Sequence, residues 1–189
     1  MGSLTKQQQR ISATVLALVL ALAGQPLRAQ SATTWIVGGG FSLPTGEFNS
    51  YANKGWGLAA GMEHRLGHSG AAIRLDGGLA KNNDTTGLGV HESTRLITAT
   101  GSVVYHFDGA RPHLYVLAGA GLLNRHFTSD DPEELPITDN RGVVQVAEGV
   151  IIPIGRLRTS IEGRFVTTVG PGAFQFFTVT AGLRFRDRS

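Results

Sequence analysis

From Trp35 onward the chain repeats a single theme, alternation of apolar and polar residues over stretches of about ten residues. The clearest case is the last, Phe174–Phe185. There Phe177, Val179, Ala181, Leu183 and Phe185 form an apolar row, and Phe176, Thr178, Thr180, Gly182 and Arg184 form a more polar one. A period of two is the signature of a strand with unlike faces, because successive side chains leave a pleated backbone on opposite sides. Seven further segments read the same way: Trp35–Leu43, Trp56–Leu66, Ala71–Ala80, Thr94–Phe107, Pro112–Leu123, Gly142–Ile154 and Leu157–Thr167. Two are ambiguous. In the fifth, both rows are apolar (Leu114 and Val116 against Tyr115 and Leu117). In the sixth, Glu148 shares its row with Val144, Val146 and Val150, while Gln145 belongs to the other.

The arginines and carboxylates of the polar rows suit a filled interior, and the apolar rows suit hydrocarbon outside. The predicted fold is therefore all-β: an eight-stranded antiparallel up-and-down transmembrane β-barrel. Connection lengths support it. The breaks after segments two, four and six are short turns (Gly67–Gly70, Asp108–Arg111, Gly155–Arg156), and those after one, three, five and seven are longer. Membrane barrels alternate short periplasmic turns with long outer loops in this way. The aromatic residues follow the same frame. Trp35, Tyr105, Phe107 and Phe185 fall at the short-turn ends of their segments, and Phe41, Trp56, Phe165 and Phe177 at or near the long-loop ends, giving two interfacial girdles.

The first thirty residues stand apart. Lys6 and Arg10 precede an apolar run from Ile11 to Gly24, and a short polar exit leads to Ala29. This is a secretory signal peptide pattern, so residues 1–30 are expected to be removed and 31–189 to form the barrel domain. The run is too short to span a bilayer comfortably. The leader also changes the charge. The chain carries 17 basic and 14 acidic residues, but Lys6, Arg10 and Arg28 lie in the leader, which leaves 14 against 14. No basic tract points to nucleic acid, and an exported chain with no cysteine is not a disulfide-stapled domain.

These features resemble the small eight-stranded outer-membrane barrels of the OmpA/OmpX type, over Trp35 to Phe185. The final Val179-Thr-Ala-Gly-Leu-Arg-Phe185 resembles the C-terminal signal read by the barrel-assembly machinery, although this chain continues through Arg186-Asp-Arg-Ser189. The resemblance implies residence in the bacterial outer membrane, with lipid and lipopolysaccharide around the wall and a monomeric state.

The inward rows contain Glu63, Arg65, Arg74, Asp76, Glu148, Arg158, Glu162, Arg164 and Arg184. Glu148 is placed inside, with a bulge as one accommodation, because a lipid-facing carboxylate costs more than an inward valine. Charges in so narrow a lumen must pair. The expected outcome is an ion-pair network that plugs the barrel, and with it a structural or surface-interaction role. Two other roles stay open: a narrow porin-like channel for ions or small hydrophobic solutes, and a soluble lipocalin-like periplasmic binding barrel with the apolar rows turned inward. No residue takes a catalytic role. His126-Phe-Thr128-Ser129 lacks the spacing of the lipid A-modifying barrel hydrolases, and His64 and His68 have no third metal ligand. No cofactor is expected. The acidic residues Asp130, Asp131, Glu133, Glu134 and Asp139 read as a solvated outer loop.

Overall fold

A computed structural model describes residues 33–50, 52–67, 69–85, 91–107, 112–129, 136–155 and 157–186. The leader, the turn at 108–111 and the acidic tract 130–135 lie outside these residues. The strands are β1 (Thr33–Thr45), β2 (Gly55–Arg65), β3 (Ala71–Thr85), β4 (His91–His106), β5 (His113–Ser129), β6 (Ile137–Ile154), β7 (Leu157–Val169) and β8 (Gln175–Arg186), with a 3-10 turn at Gly46–Ser50 after β1. Each strand pairs antiparallel with its neighbours in sequence, and β1 pairs with β8, which closes the barrel.

The register fixes the geometry. A rung followed from Trp35 runs through Met62, Leu75, Gly101, Ala120, Val144, Thr167 and Gln175 and returns to β1 at Thr45, ten residues further on. For eight strands that stagger corresponds to a tilt of about 40°. One residue along a strand then climbs about 2.5 Å along the axis, and one strand along a rung about 3 Å. On this scale the Trp35, Tyr105, Phe107, Phe185 set lies about 18 Å from the Phe41, Trp56, Phe165, Phe177 set, somewhat short of the roughly 25 Å apolar band of a membrane barrel. All eight rings stand on outward rows, Phe41 the most open of them at 68% exposure.

Between the girdles the outward wall is apolar except for Glu148. Val37, Leu58, Leu75, Ile97, Val103, Val116, Leu122, Val146, Ile161, Val179 and Leu183 are all exposed. An exposed apolar surface that encircles a protein has no place in water. The inward-greasy, lipocalin-like arrangement is thereby overturned.

Two expectations change. The strands β3 to β6 run several residues past their expected long-loop ends, into sequence that reads as polar loop. Those extensions hold together by polar contacts across the ladder: Asn124 Nδ2 donates to Asn140 Oδ1 (2.9 Å), His126 Nδ1 lies 2.9 Å from Thr138 Oγ1, and Arg125 Nη2 lies 3.7 Å from Asp139. The second change concerns the ambiguous segments. In β5, Tyr115, Leu117 and Leu123 point inward; in β6, Val143, Gln145, Ala147 and Ile151 do. Pairing of β6 with both neighbours is continuous, without a bulge, so Glu148 faces outward.

Candidate functional site

Six of the nine residues assigned to the lumen come together inside it. Glu63, Arg74, Asp76, Glu162, Arg164 and Arg184 are all at most 9% exposed. They come from β2, β3, β7 and β8 and supply three carboxylates and three guanidinium groups. Glu162 is the hub. Its Oε2 accepts from Arg74 Nη1 (2.6 Å) and from the Tyr115 hydroxyl (2.8 Å). Its Oε1 accepts from Arg164 Nη2 (2.7 Å) and Nε (3.0 Å). Arg74 Nε also donates to Asp76 Oδ1 (2.7 Å), and Arg164 Nη2 lies 3.5 Å from Asp76 Oδ2. Nearer the short-turn end, Glu63 Oε1 accepts from Arg184 Nη2 (2.6 Å) and lies 3.0 Å from His106 Nε2. The two groups meet at Tyr115, whose ring has the Arg184 guanidinium 5.5 Å from its centroid. With partners at these distances, burying the charges is compatible with a stable fold, whereas any one of them alone would be very costly.

The remaining three residues lie elsewhere. Arg65 and Arg158 share the inward parity but sit at the short-turn rim, where both are exposed. Glu148 stands on the outer wall between Val116 of β5 and Gly163 of β7, in a shallow groove with Leu114, Val150 and Ile161. On the axial scale it lies about midway between the girdles. The reason is the interior. Gln145 Nε2 donates to Thr100 Oγ1 (3.0 Å) and Ser102 Oγ (2.9 Å), and its Oε1 accepts from Arg164 Nη1 (3.2 Å). Slipping β6 by one residue would place Glu148 inside but turn Gln145 to the lipid and break those bonds. A lipid-facing Glu costs less than an Arg or Lys there, so the interior prevails.

Glycine makes room for the network. Tyr115 is opposite Gly149 in the ladder, and a Cβ on Gly149 would come within 2.3 Å of the tyrosine ring. Asp76 is opposite Gly61, where a Cβ would lie 2.6 Å from Oδ1. The bare backbone of one strand is the floor on which the long side chain of the next lies.

Above the charged layer, toward the long loops, the lumen turns apolar. Phe48 from the 3-10 turn (0% exposed) joins Ala52, Ala80, Leu96, Leu123, Val143, Val166, Phe174 and Phe176. Phe48 packs on Phe174 at 4.9 Å between centroids, and Phe174 on Phe176 at 6.4 Å. Phe174 is pinned by its N–H donating to Thr168 Oγ1 (2.8 Å), and the guanidinium groups of Arg125 and Arg141 lie 5.4 and 5.7 Å from its ring centroid. Gly46, at φ 60°, permits the turn that sends Phe48 back into the barrel mouth. Sequence reasoning missed this lid. Its signal was an isolated Phe48 in a polar stretch, and Phe174 and Phe176 on a row otherwise polar. Tyr115 and Gln145, sorted onto rows by their parity, and His106 also belong to the network without having been assigned to it. Among the described residues no cluster of His, Asp and Glu could hold a metal ion.

A closed antiparallel barrel with ion-paired side chains inside it and a largely apolar wall between two aromatic girdles defines a small membrane-spanning β-barrel. The model of the outer membrane protein beta-barrel domain matches residues 14–186, and the chain belongs to that family. No curated protein matches this chain. The fold is similar to that of Neisserial surface protein A (TM-score 0.61, 14% identity, covering 82% of this chain and 97% of that one). It is also similar to Ail, the attachment invasion locus protein of Yersinia pestis, in complex with the heparin analogue sucrose octasulfate (0.56, 11%, 83% and 100%). A third likeness is to the N-terminal β-barrel domain of Pseudomonas aeruginosa OprF (0.50, 13%, 82% and 100%). Family and fold support a structural or surface role in the bacterial outer membrane.

Proposed function

We propose that the protein is a closed outer-membrane barrel that lends the envelope a rigid wall element and presents its long loops at the cell surface, without conducting solutes. The observation that carries this reading is the two-layer filling of the lumen, with the Glu63–Arg184 and Glu162–Arg74–Arg164 pairs below and the Phe48–Phe174–Phe176 lid above. An eight-stranded interior is only wide enough for its own side chains. An ion entering from the long-loop end meets an apolar layer that does not solvate it, and beyond it carboxylates and guanidinium groups already paired with each other.

On this reading residues 1–30 direct export and are removed, and the Val179–Phe185 strand is read by the barrel-assembly machinery. The monomer then sits among outer-membrane lipid and lipopolysaccharide. Planar-bilayer recording tests the central point. The refolded mature chain is expected to add no resolvable conductance steps. Stable unitary steps in the intact protein would replace this reading with the narrow-channel one. Labelling of intact cells tests topology: cysteines placed in the long loops should react with an impermeant maleimide, and cysteines in the short turns should not.

A further inference from the structure

Among the described residues the outward rows carry few charged or histidine side chains, and apart from His64 and Glu148, which lie lower on the wall, they gather at the long-loop edge. Trp56 of β2, Lys81 of β3, Arg95 of β4 and His126 of β5 are successive members of one rung, each directly opposite the next. All four stand on outward rows; Lys81 and Arg95 are exposed, and among the described residues neither makes an ion pair. The rung sits at the upper edge of the apolar band. From Trp56, in the long-loop girdle, it climbs about 3 Å per strand, so Lys81 and Arg95 lie just beyond the hydrocarbon boundary. Asn83 and Ser93, the next outward pair on the same two strands, flank them on the loop side.

This arrangement is unfavourable by itself. Like charges directly opposite in an antiparallel pair destabilise it, with Cα atoms only about 5 Å apart. Among the described residues nothing beside them on the wall offsets them. Glu148 is the one carboxylate on the outward rows among the described residues; it lies on β6 and about 17 Å lower along the axis. Charges that repel each other at this spacing become an asset when a doubly charged anion sits between them, with an ammonium, a guanidinium and two neighbouring amide or hydroxyl donors around it.

We infer that Lys81 and Arg95 form a clamp for the phosphate of lipid A, the membrane anchor of lipopolysaccharide, with Asn83 and Ser93 as supporting donors. The inference rests on the outer-membrane topology proposed above, which puts the long-loop end in the lipopolysaccharide leaflet. It goes beyond that reading by naming the ligand group and the residues that take it. Arg95 supplies a planar fork to two phosphate oxygens, and Lys81 a point charge from the adjacent strand. Trp56 on the same rung fixes the depth at which the sugar–acyl junction meets the wall.

The test uses the full mature chain folded in a neutral detergent, titrated with bisphosphorylated lipid A and followed by thermal unfolding and by mass spectrometry of retained lipid. The wild-type barrel should gain stability in a saturable way and keep lipid A through purification. Lys81→Gln/Arg95→Gln should weaken that response at least tenfold, while its unheated gel mobility and its stability without lipid A stay equal to or above wild type. Arg65→Gln/Arg158→Gln, at the opposite rim, should respond like wild type. An unchanged response in Lys81→Gln/Arg95→Gln overturns the clamp. So does an equal response to dephosphorylated lipid A or to phosphatidylglycerol. The cysteine-labelling topology is read independently in cells, so a reversed orientation would remove the outer-membrane reading while the micelle titration still reports affinity.

Discussion

Changing Glu162 to Gln probes the lumen most directly. The substitution keeps the side-chain shape but removes one negative charge that faces Arg74 at 2.6 Å and Arg164 at 2.7 Å. In the wild type the six buried groups balance three against three. In the variant Arg74 and Arg164 retain Asp76 as their shared carboxylate, and the layer holds an uncompensated positive charge. The amide also turns a donor toward guanidinium groups that offer only donors. Breaking a buried pair by removing one partner costs about 3–5 kcal/mol, a large fraction of a typical stability of about 5–15 kcal/mol. The measurement is equilibrium unfolding in urea with the barrel in lipid vesicles, alongside gel mobility before and after heating. Glu162→Gln should lose most of the heat-modifiable folded band at denaturant where the wild type keeps it. Adding Arg164→Gln restores the charge balance, and the double variant should be more stable than the sum of the single losses, with a coupling of about 1–3 kcal/mol. If Glu162→Gln falls within about 0.5 kcal/mol of wild type, or the double variant is strictly additive, the network does not hold the lumen as argued.

Other consequences are as concrete. Gly149→Ala puts a methyl group 2.3 Å from the Tyr115 ring and should cost about 1–3 kcal/mol by unfolding in vesicles; most of the loss should vanish in a Tyr115→Ala background, where the clash has no partner. Glu148→Leu should leave the fold unchanged and raise stability in lipid by up to about 2 kcal/mol, since the carboxylate faces hydrocarbon; a destabilised variant would mean that Glu148 has a partner the described residues do not supply. Phe48→Ala should cost about 3–5 kcal/mol through the cavity left under the loops, if the lid packs as a core. Bilayer recordings of the same variant should also become noisier than those of wild type. Arg65→Gln and Arg158→Gln, at the exposed rim, should each stay within about 0.5 kcal/mol of wild type in the same unfolding assay.

Period-two alternation and the positions of Gly67, Gly155 and Gly170 to Gly172 determined the number of strands, their order and the places where the chain turns. These are local properties: a side chain's face follows from its neighbour's, and glycine is free to take the positive φ that a turn needs, as Gly67, Gly155, Gly170 and Gly172 do. The aromatic girdles were legible for the same reason, because depth follows from distance along a strand. In Glu63, Arg74, Asp76, Glu162, Arg164 and Arg184, parity alone identified six groups that meet inside. What parity could not decide was β6, where Gln145 and Glu148 competed for the interior. That choice depends on Thr100 and Ser102, 45 and 43 residues away, and on Arg164 across the next strand. Nor could it find Phe48, which leaves the strand pattern altogether and returns through the mouth of the barrel. The sequence by itself determined which residues share a face. Only barrel closure, with its ten-residue stagger, decided which of them share a level, and energies of pairing, packing and repulsion act between residues at the same level.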